Sequence, residues 1–345
     1  MAIVILILFF IVILFSLREK TSIDTLHSFS RPPWSFPALL LLLLFLSLIA
    51  AFKDNSMPDY DNYERIFRYA DFEFDRYEIG NIVLVKAIRS VTNSLLLFFW
   101  FYAIISVGLK FFVIYRSSPS IFLSVAVLMS SVFILHDMIQ IRCAVASSFF
   151  LFALYFRSRN DYLKCFFFSL LSFAFHYSAI VSFLLFLTHP QKRVWLYALL
   201  IPISYILALT GHSFGYLAEY IPGGFEFLWK MYEGQDDAVN IFNWNQLTRC
   251  AFFYLIFYNH KKISKNYTLV NLLLKYYALG ICSLVLFVDV RPIAFRLSSF
   301  FIIVEILLIP SVLYIKQNNI WFGRLLVMFY CIIGFIVSII VNKFI

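Results

Sequence analysis

Long, continuous runs of hydrophobic residues dominate this chain, and its polar residues lie mostly between the runs rather than within them. A helix needs about 17–25 apolar residues to cross the hydrocarbon core of a bilayer, whereas membrane β-barrels show short alternating segments. The pattern therefore predicts an all-α polytopic membrane protein with about 11–12 transmembrane helices. The hydrophobic runs are 2–17, 34–52, 92–115, 119–136, 139–156, 163–188, 193–210, 247–258, 268–288, 297–315 and 321–342.

Two long polar segments, 53–91 and 211–246, contain eight and five of the 19 acidic residues of the chain. The short connections are basic instead, and basic loops of membrane proteins remain in the cytoplasm. We therefore expect a single integral membrane domain, 1–345, with 53–91 as its first external loop and 211–246 as its second. The basic residues of the short connections are Arg157, Arg159, Lys192, Arg193, Lys261, Lys262 and Lys265.

The hydrophobic run 163–188 conflicts with a topology in which every hydrophobic run crosses the membrane once. Basic residues flank both of its ends, so a single crossing would place these residues on opposite sides of the membrane. The conflict favours a broken or re-entrant hairpin with His176 near its apex, because broken helices are tolerated where they line a cavity. The alternative is one tilted helix that violates the charge rule.

Composition agrees with this fold class. The chain is 62% hydrophobic and only 14% charged, with a mean hydropathy of +0.86, which excludes a soluble enzyme and a disordered chain. We interpret the net charge of +9 as orientation charge and expect no nucleic-acid partner. Five cysteines lie in or beside apolar runs without CxxC spacing, which predicts neither a metal site nor a disulfide framework: Cys143, Cys165, Cys250, Cys282 and Cys331.

Ionisable residues at membrane depth are candidates for function because their burial is costly. Arg142, Arg291, Arg296 and His176 all fall on the outer side of the predicted topology. Each arginine could instead snorkel to lipid phosphates, and His176 could be a hydrogen-bonded core residue. Several cations at one depth, most of them without a neighbouring acid, favour an anionic ligand such as phosphate.

Three other cations are interpreted as orientation charges near predicted cytoplasmic ends: Lys110, Arg116 and Arg324.

The first polar segment alternates aromatic and acidic residues. Tyr60, Tyr63, Tyr69 and Tyr77 offer stacking faces and hydroxyl groups, and the carboxylates accept hydrogen bonds from sugars. This composition suits a carbohydrate-binding surface, and it suits an amphipathic helix at the membrane interface equally well. Although the two acids of Asp59-Tyr60-Asp61 have the spacing of a metal clamp, we expect no metal and no cofactor.

The order of these features resembles the EpsG/Wzy-type family of bacterial polysaccharide polymerases over about residues 57–315. In that pattern, Ser299–Phe300 stands where a Tyr-Phe pair is expected, and 211–246 matches no part of it, so the identity of the sugar stays open. The residues that carry the resemblance are Asp59–Tyr60, Tyr63, Phe67, Glu78–Ile79–Gly80, Ile141–Arg142, Ala144, Ala146, Lys164, Ala174, Phe175–His176, Ser178–Ala179 and Phe295–Arg296–Leu297.

The resemblance implies a metal-independent glycosyltransferase in the bacterial inner membrane, with its active site facing the periplasm. Such an enzyme moves a growing glycan from undecaprenyl pyrophosphate onto a new undecaprenyl-pyrophosphate-linked repeat unit. Its partners would be these two lipid-linked oligosaccharides, as donor and acceptor, and a chain-length regulator protein in the same membrane.

The expected site residues follow from combining the resemblance with the charges. We expect His176, Glu78 and Arg142 to be catalytic, with Glu78, Asp59 and His176 all open as the proton acceptor. The expected pyrophosphate ligands are Arg142, Arg291 and Arg296, and the expected sugar ligands are Asp59, Tyr60, Tyr63 and Glu78.

Three rival interpretations remain at this point. A flippase or transporter of lipid-linked oligosaccharides would show charges along both halves of its path and often repeat symmetry. An O-antigen ligase would carry out a similar reaction on a lipid A acceptor. A non-enzymatic membrane scaffold would not need Arg142 at its depth.

Overall fold

A computed structural model describes residues 2–19, 32–53, 57–69, 77–213, 239–316 and 319–341, and all regular elements in these ranges are helical. The all-α prediction is therefore confirmed for the described residues. The α-helices are α1 (Ala2–Arg18), α2 (Ser35–Ala51), α3 (Tyr60–Tyr69), α4 (Ile79–Arg89), α5 (Leu95–Ser117), α6 (Ile121–Ile139, π-helical over Leu128–Ile139), α7 (Ile141–Ser158), α8 (Tyr162–Phe175), α9 (Leu184–Leu187), α10 (Val194–Leu209), α11 (Trp244–Ile263), α12 (Val270–Leu286), α13 (Arg291–Ile302), α14 (Glu305–Leu308) and α15 (Ile320–Phe335, continued by π-helical Ile336–Val341). Two 3₁₀ segments cover Tyr177–Phe183 and Ile309–Tyr314.

Many of these helices have the length and composition of membrane spans. In the described part of the chain, five helical stretches are long and apolar enough to cross a bilayer, and six shorter apolar helices accompany them. The five long stretches are Leu95–Ser117, Ile121–Ile139, Ile141–Ser158, Arg291–Tyr314 and Ile320–Ser338. The chain is a multi-pass membrane protein, as predicted.

The packing divides the chain into two compact units, Met1–Thr188 with Ile309–Ile345, and His189–Leu308. In the first unit, α7 packs against α5 and α8, α2 packs along α5, and α15 packs against α6. In the second unit, α12 is the central helix and contacts α10, α11 and α13. Nearly all faces of α12 are buried, as expected for a central helix whose residues are mostly apolar.

The run 163–188 is a broken hairpin. Helix α8 ends at Phe175, His176 has an extended backbone with φ −158° and ψ 122°, and the 3₁₀ segment follows. The chain then folds back, because the rings of Phe183 and Phe186 lie 5.9 and 6.1 Å from that of Phe166. The prediction of a break at His176 is confirmed, and the alternative of a single tilted helix is wrong.

The first polar segment contains two of the described helices. Helix α3 buries Tyr63, Ile66 and Phe67, which share one face because residues three and four positions apart are neighbours on a helix. This face packs against Phe98 and Phe99 of α5, with ring centroids 4.9 Å apart for Phe67 and Phe98. The second polar segment, 211–246, lies mostly outside the described residues.

Candidate functional site

The start of α4 joins three separate parts of the first unit. Glu78 precedes the helix, and its carbonyl oxygen accepts the first helical hydrogen bonds from Asn81 and Ile82, at 3.0 and 3.2 Å. The side-chain amide of Asn81 donates to Glu78 Oε2 at 3.1 Å and to the carbonyl oxygen of Phe175 at 2.7 Å. The hydroxyl of Tyr102 donates to Asn81 Oδ1 at 3.1 Å. Asn81 therefore links α4 to α5 and to the end of α8.

A glycine allows this close approach. A Cβ atom on Gly80 would lie 2.8 Å from the carbonyl oxygen of Ala174 and 2.9 Å from the ring of Phe175. Contacts this short do not occur without movement of the backbone, so α4 meets α8 only because position 80 has no side chain. The contact lies directly before His176 and brings this residue next to Glu78.

The carboxylate of Glu78 has a different partner on each oxygen. Arg142 Nη1 donates to Oε2 at 2.7 Å, and His176 Nδ1 lies 3.1 Å from Oε1. The exposed side-chain fractions of Glu78, Arg142 and His176 are 5%, 26% and 14%. We call these three residues the Glu78 cluster. The structure thus brings together all three predicted catalytic residues.

The partners of Glu78 keep it ionised. Burial raises the pKa of Glu78, but the hydrogen bond with His176 and the charge of Arg142 outweigh it and lower the pKa to about 2. An ionised carboxylate only accepts hydrogen bonds, so neutral His176 carries its proton on Nδ1 and leaves the Nε2 lone pair available. A carboxylate with so low a pKa is a weak proton acceptor.

We expected most of the candidate cations to lack a neighbouring acid. Arg142 is not such a free cation, because it is paired with Glu78. Its guanidinium also forms a side-chain hydrogen bond with Tyr63 and lies 5.8 Å from the ring centroid of Tyr77. Its Nε is buried and has no hydrogen-bond partner among the described residues. The pair with Glu78 therefore leaves part of the guanidinium unused.

The predicted sugar ligands of α3 lie beside this cluster. Tyr63 is buried, and burial raises the pKa of its hydroxyl above the ordinary value, which keeps the hydroxyl protonated. Tyr60 is half-buried, with its ring 5.5 Å from that of Phe99. Asp59 is exposed, and its φ of 63° lies in the left-handed region that aspartate tolerates. Tyr63 therefore belongs to the interior of the site, and Asp59 lies on the surface.

The other two predicted phosphate ligands, Arg291 and Arg296, belong to the second unit. Both are exposed and lie in the first two turns of α13. The guanidinium of Arg291 lies 5.8 Å from the ring centroid of Phe295 on the same helix. Of the three predicted arginines, Arg142 is the one that belongs to the same unit as Glu78, and it is paired with Glu78.

Sequence reasoning missed two residues that hold the cluster together. Asn81 lies one helical turn after Glu78, so the spacing within Glu78–Ile79–Gly80–Asn81 was a usable signal. Tyr102 lies in a continuous apolar run and gives no sequence signal. In the described part of the chain, no group of three or more His, Cys, Asp or Glu side chains could hold a metal ion.

Comparison with known proteins identifies the family. No curated protein and no solved structure matches the chain. The sequence profile of the EpsG family matches residues 38–345, a range that contains the Glu78 cluster, the broken hairpin and α13. The protein therefore belongs to the EpsG family.

Proposed function

We propose that this protein is a polysaccharide polymerase that joins undecaprenyl-pyrophosphate-linked repeat units on the periplasmic face of the bacterial inner membrane. The observation that carries the proposal is the Glu78 cluster, in which a carboxylate orients a histidine beside a partly exposed arginine. The EpsG family membership supports a role in polysaccharide synthesis.

The proposed reaction is a glycosyl transfer. A hydroxyl oxygen of the acceptor sugar attacks the anomeric carbon of the donor glycan and forms the new C–O bond. The bond between this carbon and the diphosphate oxygen breaks, and its electron pair leaves with undecaprenyl pyrophosphate. The acceptor hydroxyl loses its proton to His176 Nε2. Glu78 accepts a hydrogen bond from Nδ1 and stabilises the imidazolium that results.

Geometry favours His176 over the other two candidates for the proton acceptor. Glu78 is already paired with Arg142, and its lowered pKa makes it a weak base. Asp59 is exposed to solvent and lies on the surface rather than in the interior of the site. His176 is held in place by Glu78 through Nδ1, and this contact leaves its second ring nitrogen, Nε2, to accept a proton.

Arg142 serves as a ligand of the leaving diphosphate in this proposal. Charge grows on the diphosphate as the glycosyl bond breaks, and guanidinium groups stabilise phosphate oxygens through short charge-assisted hydrogen bonds. Arg291 and Arg296 are proposed as further diphosphate ligands. Asp59 and Tyr60 are proposed as contacts of the acceptor sugar, and Tyr63 holds the guanidinium of Arg142 through its hydroxyl.

Reconstitution tests the function. Purified protein in proteoliposomes, supplied with undecaprenyl-pyrophosphate-linked repeat units, should yield a ladder of longer oligosaccharides and release undecaprenyl pyrophosphate, with or without EDTA. Transfer of intact lipid-linked units across the bilayer without new glycosidic bonds would identify a flippase and refute the proposal. A ligase would use lipid A as acceptor and would not form a ladder.

A further inference from the structure

Lys53 is a second cation that lies beside Tyr63, the neighbour of Arg142 in the Glu78 cluster. It follows the end of α2, and its Nζ lies 4.8 Å from the ring centroid of Phe99 and 5.8 Å from that of Tyr63. The amine is buried, and no hydrogen-bond partner for it exists among the described residues. Among the described residues, two aromatic rings lie near this amine, and its three N–H donors form no hydrogen bond there.

The acids that the structure describes near this amine do not satisfy it. Asp137 of α6 acts on Lys53 through its charge, but its carboxylate is bound to Lys110 at 2.6 Å. Asp59 also acts through its charge, and its side chain is exposed to solvent. Burial lowers the pKa of Lys53 to about 7, although Asp137 and Asp59 raise it. Lys53 is thus balanced between its charged and neutral forms at neutral pH.

Tyr63 connects Lys53 to the proposed active site. Its ring lies beneath the Lys53 amine, and its hydroxyl interacts with the guanidinium of Arg142. The two cations thus share one aromatic neighbour, and each retains donors that no described residue satisfies: the three of Lys53 and Nε of Arg142. A ligand with several adjacent anionic oxygens fits this combination.

We propose that Lys53 binds the diphosphate of the lipid-linked substrate together with Arg142. This inference rests on the proposed function and names one more residue of the same site. A diphosphate supplies the acceptor oxygens that the buried amine lacks, and its negative charge favours the ammonium form. Substrate binding is therefore coupled to proton uptake by Lys53, so that more of the molecules carry the full positive charge of the site when the diphosphate occupies it.

A binding experiment tests Lys53 directly. Purified protein in detergent micelles is titrated with undecaprenyl pyrophosphate between pH 7 and pH 9, where the phosphates themselves are largely ionised, since phosphate esters titrate near pH 6. The variants are Lys53→Gln, Lys53→Met and Lys53→Arg, and Lys261→Gln serves as a matched control because Lys261 is exposed at the end of α11. Monodisperse elution during size-exclusion chromatography checks the fold of each variant.

The wild-type protein and Lys261→Gln should lose affinity about tenfold or more between pH 7 and pH 9, as Lys53 loses its proton. Lys53→Gln and Lys53→Met should bind about tenfold more weakly at pH 7 and show little dependence on pH. Lys53→Arg, which stays charged, should bind at pH 9 as it does at pH 7. If one Lys53 variant does not fold, the pH profile of the wild type and the other two variants still test the role of Lys53.

Two results would overturn the inference in different ways. If the wild type binds undecaprenyl pyrophosphate and the folded Lys53→Gln and Lys53→Met variants bind it equally well with the same pH profile, the role of Lys53 is refuted while the proposed function stands. If the wild type does not bind undecaprenyl pyrophosphate at all, the proposed function fails with it.

Discussion

Two ion pairs of the first unit differ in how completely they are satisfied. Lys110 of α5 and Asp137 of α6 are 0% exposed, and Nζ of Lys110 donates to both carboxylate oxygens, at 2.7 and 2.6 Å, and to Ser106 Oγ at 2.9 Å. The Arg142–Glu78 pair is equally short, at 2.7 Å, but Arg142 is 26% exposed and its Nε has no partner in the described part of the chain.

We interpret the Lys110–Asp137 pair as structural and the Arg142–Glu78 pair as part of the proposed active site. All three N–H donors of Lys110 are used inside the protein, so a ligand has nothing to bind there. The Nε donor of Arg142 has no partner in the described part of the chain, and Glu78, which is paired with Arg142, also orients His176. Depth in the membrane alone therefore does not distinguish the two pairs, whereas the donors left without a partner among the described residues do.

Substitution of His176 or Arg142 in the Glu78 cluster should have the largest effect on activity. His176→Ala and Arg142→Ala should each lower the rate of chain elongation about 100-fold to 10,000-fold, because they remove the proton acceptor or a leaving-group ligand. Arg142→Lys should recover little, since an ammonium cannot replace the planar fork of a guanidinium. Product length on gels from cells that express each variant gives the measurement, and normal chain length in these variants would remove the proposed site.

Disruption of the Lys110–Asp137 pair should lower the stability of the protein instead. Lys110→Ala leaves the Asp137 carboxylate buried without its cation, which costs about 3–5 kcal/mol. The amount of folded protein in the membrane should fall steeply. A double variant, Lys110→Met with Asp137→Leu, should restore folding and, with it, activity per folded molecule. If the folded double variant has no polymerase activity, the pair is not merely structural.

A substitution at Gly80 tests the Glu78 cluster without removing a charge, because it should displace His176. Gly80→Ala forces α4 away from Ala174 and Phe175, so the hydrogen bond between His176 and Glu78 should lengthen. We expect elongation to fall about 10-fold to 100-fold. Gly108→Ala is the matched control, because its Cβ would lie 3.9 Å from Leu43, an ordinary contact. Equal activities of the two variants would contradict the role of this contact.

The smallest predicted effect is the dependence of stability on acid pH. The folded-state pKa of Glu78, about 2, lies below its ordinary value of 4.5, so its contribution to stability is complete above about pH 4.5 and decreases as the pH falls toward 2. The melting temperature of the wild type should exceed that of Glu78→Gln at pH 7, and the difference should shrink by pH 3. A difference that does not change over this range would show that Glu78 is not held ionised by its partners.

Much of the fold could be predicted from the sequence because membrane insertion imposes a strong pattern. The apolar runs predicted the helices, and the charges on both sides of 163–188 predicted the break at His176. The sequence did not reveal that Lys110 and Arg324, which we interpreted as orientation charges, have partners inside the protein. Lys110 is buried against Asp137, and Arg324 donates to the carbonyl oxygens of Leu17 and Glu19, at 3.2 and 2.6 Å.

The residues of the site could be predicted from the sequence, but the hydrogen bonds between them could not. Glu78, Arg142 and His176 are 64 and 34 residues apart in sequence, so their shared hydrogen bonds depend on tertiary contacts that no local pattern reveals. The close approach at Gly80 and the amide of Asn81, which hold the cluster together, depend on the same contacts. Lys53 lies at the border of an apolar run, where a snorkelling charge and a buried one look alike in sequence.

The most direct test of the account compares binding with chain elongation in one purified variant. His176→Gln keeps a polar side chain of similar size but cannot take up a proton. In proteoliposomes with lipid-linked repeat units, this variant should bind undecaprenyl pyrophosphate as tightly as the wild type and produce no oligosaccharide ladder. A ladder of wild-type length and rate would contradict the account, because His176 would then not accept the proton of the acceptor sugar.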